Sequence, residues 1–245
     1  MKIKYISLII IGLSIITKSY ASESHWGYTG SVGPEHWSKL STDNSLCSSG
    51  KTQSPINLSG FIDKKLLPIE YNYLDGGYEI TNNGHTIQLN FKAGSTINID
   101  KHDYELKQLH FHSPSENTVN GKRYPMEMHL VHADKDKNLA VIALLFEEGR
   151  TNNMLFHAWE SMPNNVNSKR ILYSHLNAES LLPDNREYYQ FEGSLTTPPC
   201  SEGVKWFVIK EIISASKTQI DKFRHIMHHD NNRPLQELNE RTVFE

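Results

Sequence analysis

The chain has 245 residues, of which 38% are hydrophobic and 22% are charged, and its formal net charge is -3. A chain of this size and composition can bury one sizeable core and need not be divided into two domains. Its charges are nearly balanced and interspersed, which excludes a basic nucleic-acid surface and a polybasic membrane anchor. We therefore expect one globular domain with a small-molecule function.

The N-terminal residues differ from the rest of the chain. They contain two lysines, then an apolar run over 6–16, and then small residues on either side of a tyrosine, ending at Ala21. This order is typical of a secretory signal peptide, so we expect residues 1–21 to be removed and 22–245 to form the mature domain. The alternative is a transmembrane anchor, but the run is shorter than the roughly 20 apolar residues that a span requires. We expect a periplasmic or secreted protein without a membrane anchor after cleavage.

Strand signals are more frequent than helix signals in the rest of the chain. Alternating or continuously apolar stretches predict strands over 86–91, 96–100, 104–112, 126–132, 139–146 and 206–209. Helices are predicted over 154–162 and after Ser216, where Ser216 and Gln219 match a capping box. The strand spacing is also typical of an all-β sandwich or barrel, and periodicity alone does not choose the topology. We expect a mainly β domain with short peripheral helices.

The sequence contains two cysteines, Cys47 and Cys200. Because an exported protein folds in an oxidising compartment, we expect them to form a disulfide bond. The bond would tether the segment around Thr196 and restrict the unfolded chain by about 4 to 5 kcal/mol in the loop-entropy description. Two buried thiols or a nucleophilic cysteine are the alternatives, and the second is disfavoured because neither cysteine lies in a recognisable Cys/His signature.

Three of the 13 histidines stand out by position. His110 and His112 alternate along one predicted strand, so both side chains project from the same face. His129 lies on another predicted strand, which could bring it to the first pair. Three neutral imidazoles fit a catalytic zinc site, because three protein ligands leave a fourth tetrahedral position for water or substrate. The alternative is a group of histidines on a polar sheet face without a metal.

The same alternation predicts hydrogen-bond partners for two of these histidines. Gln108 lies two residues before His110, and Glu127 lies two residues before His129, each on the face of its histidine. Each side chain could accept a hydrogen bond from the second ring nitrogen. Such partners fix the tautomer and the ring orientation of a metal ligand and raise its basicity.

Longer segments around these residues resemble the alpha-class carbonic anhydrase family, especially its exported bacterial members. The segments are QLHFHSPSENTVNGKRYPMEMHLVH at 108–132, GSLTTPPCSEGVKWFV at 193–208, WGY at 26–28, GPEHW at 33–37, QSPINL at 53–58, NNGH at 82–85 and NNRPLQ at 231–236. Together they extend over nearly all of the predicted mature chain.

The resemblance implies a fold and a metal site. It implies a large twisted, mostly antiparallel central β-sheet with one zinc ion at the floor of a conical cleft. The implied ligands are His110, His112 and His129, with Gln108, Glu127 and the main-chain carbonyl of Asn231 as their hydrogen-bond partners. The implied reaction is the reversible hydration of carbon dioxide to bicarbonate and a proton by a zinc-bound hydroxide.

Further residue roles follow from the resemblance alone. Thr196 resembles the residue that orients the nucleophile. Its hydroxyl proton would be committed to ionised Glu116, which can only accept, so the Thr196 oxygen would accept a hydrogen bond from the nucleophile. His85 resembles the proton shuttle, since a histidine titrates near neutral pH. The residues implied to line its water path are Tyr28, Asn83 and Gln88, and those implied to contact the substrate are Val131, Val141, Leu195, Thr196, Thr197 and Trp206. Asn117 stands where many animal members have histidine, so the hydrogen bonds around Glu116 are expected to differ from those of the animal members.

The implied partners are carbon dioxide and bicarbonate, with sulfonamide-like and anionic molecules as inhibitors. The sequence leaves a homodimer open. Two other functions compete with the hydratase: a zinc hydrolase whose natural substrate is an ester, and a non-catalytic binding module on the same fold.

Overall fold

The computed structural model of the chain describes residues 25–245, and within them it has four α-helices and fourteen β-strands. The predicted signal peptide, residues 1–21, lies outside the described residues. The helices are α1 (Trp37–Leu40), α2 (Leu46–Ser49), α3 (Asn153–Glu160) and α4 (Lys217–Met227). The strands are β1 (Asn57–Leu58), β2 (Glu70–Asn72), β3 (Asp75–Asn82), β4 (Ile87–Phe91), β5 (Thr96–Ile99), β6 (His102–His112), β7 (Thr118–Val119), β8 (Lys122–Arg123), β9 (Met126–Ala133), β10 (Leu139–Glu148), β11 (Ser168–Asn177), β12 (Tyr188–Ser194), β13 (Glu202–Ile209) and β14 (Ile213–Ala215).

One large sheet organises the molecule. It has 11 strands, and its main path runs β11-β3-β4-β6-β9-β10-β13-β12, with β2, β5 and β14 attached beside this path. The pairings of β10 with β13 and with β14 are parallel, whereas the others along the main path are antiparallel. The path is open, with β11 and β12 at its two ends. The expected mainly β domain around a large, mostly antiparallel sheet is therefore confirmed.

The two faces of this sheet carry different groups. One face packs against α3 and α4 in the larger hydrophobic core, to which β6 contributes Leu109 and Phe111. The opposite face carries a smaller apolar cluster that includes Val141 and Trp206. Because side chains alternate across a strand, the residues between the core positions of β6 and β9 project onto the second face. The predicted metal ligands lie there.

Strand β6 contains a β-bulge that the alternation pattern did not predict. Its register against β9 shifts between Leu106 and Gln108, which leaves Lys107 as an extra residue. Before the bulge, Tyr104 and Leu106 belong to the larger core. After it, the even-numbered residues project from the opposite face. The prediction of unbroken alternation over 104–112 was therefore wrong, although the part from 108 onward alternates as predicted.

Two local predictions concern the N-terminus of α4 and the cysteines. Ser216 is the N-cap of α4, and its side chain and that of Gln219 form the predicted reciprocal capping box. Cys47 and Cys200 form a disulfide bond with their Cα atoms 5.0 Å apart, as predicted. Among the described residues, no helix has the length and apolar character that a membrane crossing requires.

Candidate active site

The three predicted metal ligands converge on one point of the sheet. His110 on β6 is directly opposite His129 on β9, and His112 follows two residues later on the same face. One ligand atom of each ring lies within 4.8 Å of the others. The alternation of two neighbouring antiparallel strands is sufficient to bring the three imidazoles together.

Each of the three rings uses its second nitrogen in a hydrogen bond. His110 Nδ1 lies 2.9 Å from Gln108 Oε1, and His129 Nε2 lies 2.9 Å from Glu127 Oε1. His112 Nδ1 lies 2.7 Å from the main-chain oxygen of Asn231. Because these oxygens only accept, each ring donates its proton outward and its remaining nitrogen carries a lone pair.

These remaining nitrogens fit a metal ion. Nε2 of His112 is buried and has no hydrogen-bond partner among the described residues. Burial, followed by the proximity of the other histidines, lowers the pKa of His110 and of His129 well below 6.5, so that both rings are neutral. Neutral imidazoles in this number suit zinc in a site that keeps one coordination position open.

Glu116 lies beside the three histidines, and the Thr196 side chain contacts Glu116. Glu116 Oε2 is 3.5 Å from His112 Nε2 and 4.0 Å from His129 Nδ1, and the carboxyl group is fully buried. Burial raises the pKa of Glu116 to about 8, while the Arg233 main-chain N–H and the Thr196 side chain lower this pKa as hydrogen-bond donors. A divalent cation at the histidines would favour the ionised form further by Coulomb attraction.

Glu127 and Asn117 form a saturated group behind His129. Glu127 Oε2 accepts hydrogen bonds from the main-chain N–H groups of Glu116 and Asn117, at 2.7 and 2.8 Å. Its Oε1 accepts from the Asn117 side chain at 2.7 Å and from His129. The Asn117 oxygen in turn accepts from the Ile56 N–H at 3.1 Å. Asn117 therefore holds the partner of a metal ligand, a role that the sequence did not indicate.

The Asn231 side chain joins the segment after α4 to the site. Its oxygen accepts from the Ser113 N–H at 2.8 Å, and its amide donates to the main-chain oxygens of His85 and Phe111 at 3.0 and 2.9 Å. Sequence reasoning assigned only the main-chain carbonyl of Asn231. The side chain fixes both that carbonyl and the backbone of His85.

His85 lies in the turn between β3 and β4. Its ring is stacked on Trp26, with the ring centroids 3.7 Å apart and the planes within 5°. Burial lowers the pKa of His85 below 6.5, and the proximity of His25 and His229 adds to this effect. Sequence reasoning missed Trp26, although the residue lies in the WGY segment.

The three residues predicted to line the water path differ in what they contact. The Tyr28 ring is 6.0 Å from the His229 ring, and burial, followed by the charge of Glu116, raises the pKa of Tyr28 well above 10. Gln88 is paired with His110 across the strands and donates to Asn90 at 2.7 Å. The Asn83 oxygen accepts from the main-chain N–H groups of His85 and Thr86, both at 2.9 Å. The Asn83 oxygen is therefore committed to the turn that presents His85.

The four apolar residues that were predicted to contact the substrate lie in one cluster next to His129. Val141 is paired with Val131 on one side and with Trp206 on the other. The Trp206 ring meets the His129 ring edge-on, with centroids 4.9 Å apart. Leu195 packs against the same cluster. Thr197 lies in the turn that carries Thr196, and its main-chain oxygen accepts a hydrogen bond from the Cys200 N–H at 2.8 Å.

Comparisons with known proteins agree with this arrangement. Residues 32–245 match the family described as eukaryotic-type carbonic anhydrase. A carbonic anhydrase from Pectobacterium atrosepticum is 45% identical over 237 residues, which cover 96% of this chain and 97% of that protein. A carbonic anhydrase from Klebsiella pneumoniae is 46% identical over 224 residues, covering 91% of each. The alpha-carbonic anhydrase of Thermovibrio ammonificans, solved with the inhibitor sulfanilamide, superposes with a TM-score of 0.90 at 46% identity and covers 91% of this chain and 100% of its own. This chain therefore belongs to the eukaryotic-type carbonic anhydrase family.

Proposed function

We propose that this protein catalyses the reversible hydration of carbon dioxide to bicarbonate and a proton with one zinc ion per chain. The observation that carries the proposal is the group of three neutral histidines, each with its second nitrogen donating to an oxygen and its first nitrogen free to ligate. Zinc held there would act as a Lewis acid that lowers the pKa of a bound water, an effect for which carbonic anhydrase is itself the standard example.

Thr196 and Glu116 orient the nucleophile in this proposal. The Thr196 hydroxyl has one proton, and a carboxylate can only accept, so the hydrogen bond to Glu116 leaves the threonine oxygen as an acceptor. A nucleophile that carries a proton can donate to this oxygen and turn a lone pair toward the substrate. The main-chain N–H of Thr196 is then available to hold an oxygen of carbon dioxide or bicarbonate.

The apolar surface accommodates an uncharged substrate. Carbon dioxide has no net charge and no permanent dipole, so it gains little from charged side chains and is compatible with a hydrophobic wall. Val131, Val141, Leu195 and Trp206 supply such a wall beside His129. Thr197 lies on the same turn as Thr196 and completes the proposed substrate site.

Proton release is assigned to His85. Because the pKa of His85 is below 6.5, its ring is mainly neutral at pH 7 and can accept a proton. The stack on Trp26 holds the ring in one plane. Tyr28, Asn83 and Gln88 are proposed to line the water path that connects the ring with the metal site.

Stopped-flow hydration of carbon dioxide tests this function. Zinc-loaded protein should accelerate hydration well above the buffer rate, and protein stripped by a chelator should not until zinc is restored. Hydration at the background rate by zinc-replete protein would contradict the proposal. Measurement of kcat/KM for an activated ester on the same sample distinguishes a hydratase from an ester hydrolase, and binding of ligands with neither activity would indicate a binding module.

Location and ligands are further parts of the proposal. We infer that residues 1–21 direct export and are removed after Ala21, which N-terminal sequencing of the mature protein would test. Sulfonamide-like and anionic molecules are expected to inhibit, as suggested by the sulfanilamide complex of the Thermovibrio ammonificans protein. Light scattering of the mature protein would show whether it is a monomer or a homodimer.

A further inference from the structure

The proposed function depends on the relative position of Thr196 and Glu116, which lie on different segments of the chain. Glu116 follows β6, whereas Thr196 follows β12 in the turn that leads to Cys200. A hydrogen bond between two such side chains is directional, so a small displacement of either segment weakens it. The structure must therefore fix the two segments relative to each other.

Arg233 contacts the first of these segments through its main chain. Its N–H donates to Glu116 Oε1 at 2.9 Å. The side chain of the same residue points into the interior, and the residue as a whole is 1% exposed. Its Nη1 donates to Gln53 Oε1 at 2.9 Å and to the Ser54 oxygen at 2.8 Å, while Nη2 donates to the Cys47 oxygen at 2.9 Å. One residue thus joins Glu116 to the segment 47–54.

Gln53 and Ser54 continue this connection to the second segment. The Gln53 amide donates to the Cys200 oxygen at 3.0 Å and to Glu202 Oε1 at 3.1 Å. The main-chain N–H of Ser54 donates to the Ser194 hydroxyl at 2.9 Å, and the Ser194 N–H donates to the Ser54 hydroxyl at 3.1 Å. The turn that carries Thr196 is therefore held at both ends.

The chemistry of Arg233 is unusual for a residue that only stabilises the core. The acceptors of its guanidinium are an amide oxygen and two main-chain oxygens, all uncharged. Burial lowers the pKa of Arg233 to about 10, and the charge of Glu116 opposes this change, so the side chain remains protonated at neutral pH. A buried charge is a weak source of stability compared with well-packed apolar side chains. Its planar, multidentate donors are well suited to fixing several oxygens at once.

We propose that Arg233 and Gln53 form a positioning pair that holds Glu116 in register with the Thr196 turn. The inference rests on the proposed function and deepens it, because it assigns the selectivity of the site to residues outside the metal ligands. When the register is maintained, the Thr196 oxygen accepts a hydrogen bond from a ligand that carries a proton. Ligands that bring such a proton are then favoured over anions that have none.

The test compares two ligands in the zinc-loaded protein and three variants. Sulfanilamide carries a donor N–H group, whereas thiocyanate carries no proton. Arg233→Met removes the guanidinium and keeps the main-chain N–H, and Gln53→Leu removes the amide. Arg241→Met is the matched control, since the Arg241 guanidinium also donates to uncharged main-chain oxygens, those of Leu238, Glu192 and Glu237.

The ratio of the two dissociation constants is the main readout. In Arg233→Met, sulfanilamide should bind about fivefold to tenfold more weakly relative to thiocyanate, as expected for the loss of one oriented hydrogen bond. Gln53→Leu should change the ratio in the same direction. If Arg233→Met does not fold, the ratio in Gln53→Leu tests the proposal by itself. Arg241→Met should leave the ratio within about twofold, the range expected of a site that has kept this bond.

Hydrogen exchange in the metal-free protein provides a second readout. The main-chain amide of residue 233 should exchange faster in Arg233→Met and Gln53→Leu than in the wild type, because its acceptor on Glu116 is less well held. The inference is overturned if both variants lose thermal stability while the ligand ratio and this exchange rate remain those of the wild type. A wild-type protein that binds both ligands but does not hydrate carbon dioxide would refute the proposed function and leave the ratio test valid.

Discussion

His132 is a fully buried histidine whose titration should limit the stability of the protein in acid. It lies on β9, on the face of the sheet opposite the metal site, where Nε2 is 2.8 Å from the Tyr73 hydroxyl and Nδ1 is 3.3 Å from the Ala140 oxygen. Burial lowers the pKa of His132 from 6.5 to about 3, because the core cannot replace the hydration of a charged ring. Hydrogen bonds to the main-chain oxygens of Ala140 and Leu130 oppose this change only in part.

The sign of the effect on stability follows from the two pKa values. The unfolded chain binds a proton at His132 near pH 6.5, whereas the folded protein binds it near pH 3. The contribution to stability is therefore full above pH 6.5 and is lost progressively as the pH falls from 6.5 through 3. At pH 5, about 1.5 units below the unfolded pKa, the loss is about 2 kcal/mol, since each unit corresponds to about 1.4 kcal/mol.

Urea denaturation of metal-free wild type and His132→Gln at pH 7.5 and pH 5 measures this loss. Glutamine keeps a donor and an acceptor but does not titrate. The wild type should lose about 2 kcal/mol more free energy of unfolding between the two pH values than the variant, with unchanged m-values. His157→Gln is the control, because the His157 side chain is 60% exposed, and it should follow the wild type. Equal losses in the wild type and His132→Gln would refute the assigned burial.

Three further outcomes are expected. His110→Ala should lose bound zinc and hydration activity together, whereas His85→Ala should retain zinc and recover part of its lost rate in imidazole buffer. Elemental analysis measures the bound zinc, and stopped-flow kinetics measures the hydration rate. Equal losses of zinc and of rate in the two variants would contradict the assigned proton shuttle. Gln108→Leu should weaken zinc binding by about 10- to 100-fold in competition with a chelator, because His110 loses its acceptor, and unchanged affinity would argue against that role. Replacing Cys47 and Cys200 by serine should lower the free energy of unfolding by about 4 to 5 kcal/mol, because the disulfide bond closes a loop with a sequence separation of 153. A loss below about 1 kcal/mol would show that the loop-entropy description fails for this protein.

The metal site could be predicted from the sequence because its geometry depends on residues that are close together along a strand. Period-two alternation determines which residues share a face, so Gln108, His110 and His112 could be grouped from their spacing alone. His129 required the further assumption that its strand is adjacent, and the register of β6 against β9 agrees with it. Asn231 could be assigned only through the resemblance, because a segment that follows α4 has no periodic relation to β6.

Other parts of the fold depend on contacts that no local pattern reports. The strand β3 begins with a run containing Gly76 and Gly77, which carries no alternation, and Gly77 lies so close to β11 that a Cβ there would be 3.0 Å from the Leu176 oxygen. β11 is an end strand of the sheet that begins with the three polar residues at 168–170, so its first half shows no apolar alternation. Both strands were missed for these reasons. The contacts of Asn117 and Arg233 likewise join segments whose proximity is known only after folding.

The bulge at Lys107 determines where strand β6 can change in length without disturbing the metal site. Lys107 is exposed and forms an ion pair with Glu105, so a substitution at this position should be readily tolerated. Deletion of Lys107 should also keep the register, because Leu106 and Gln108 already pair with the consecutive residues His132 and Val131 of β9, so that the shortened strand would alternate without a break. His110 and His112 would still project from the metal-site face and Phe111 into the core, whereas removal of a residue between Gln108 and His112 would turn the side chains beyond it to the other face. Gaps in aligned relatives are therefore expected at position 107 and not between 108 and 112.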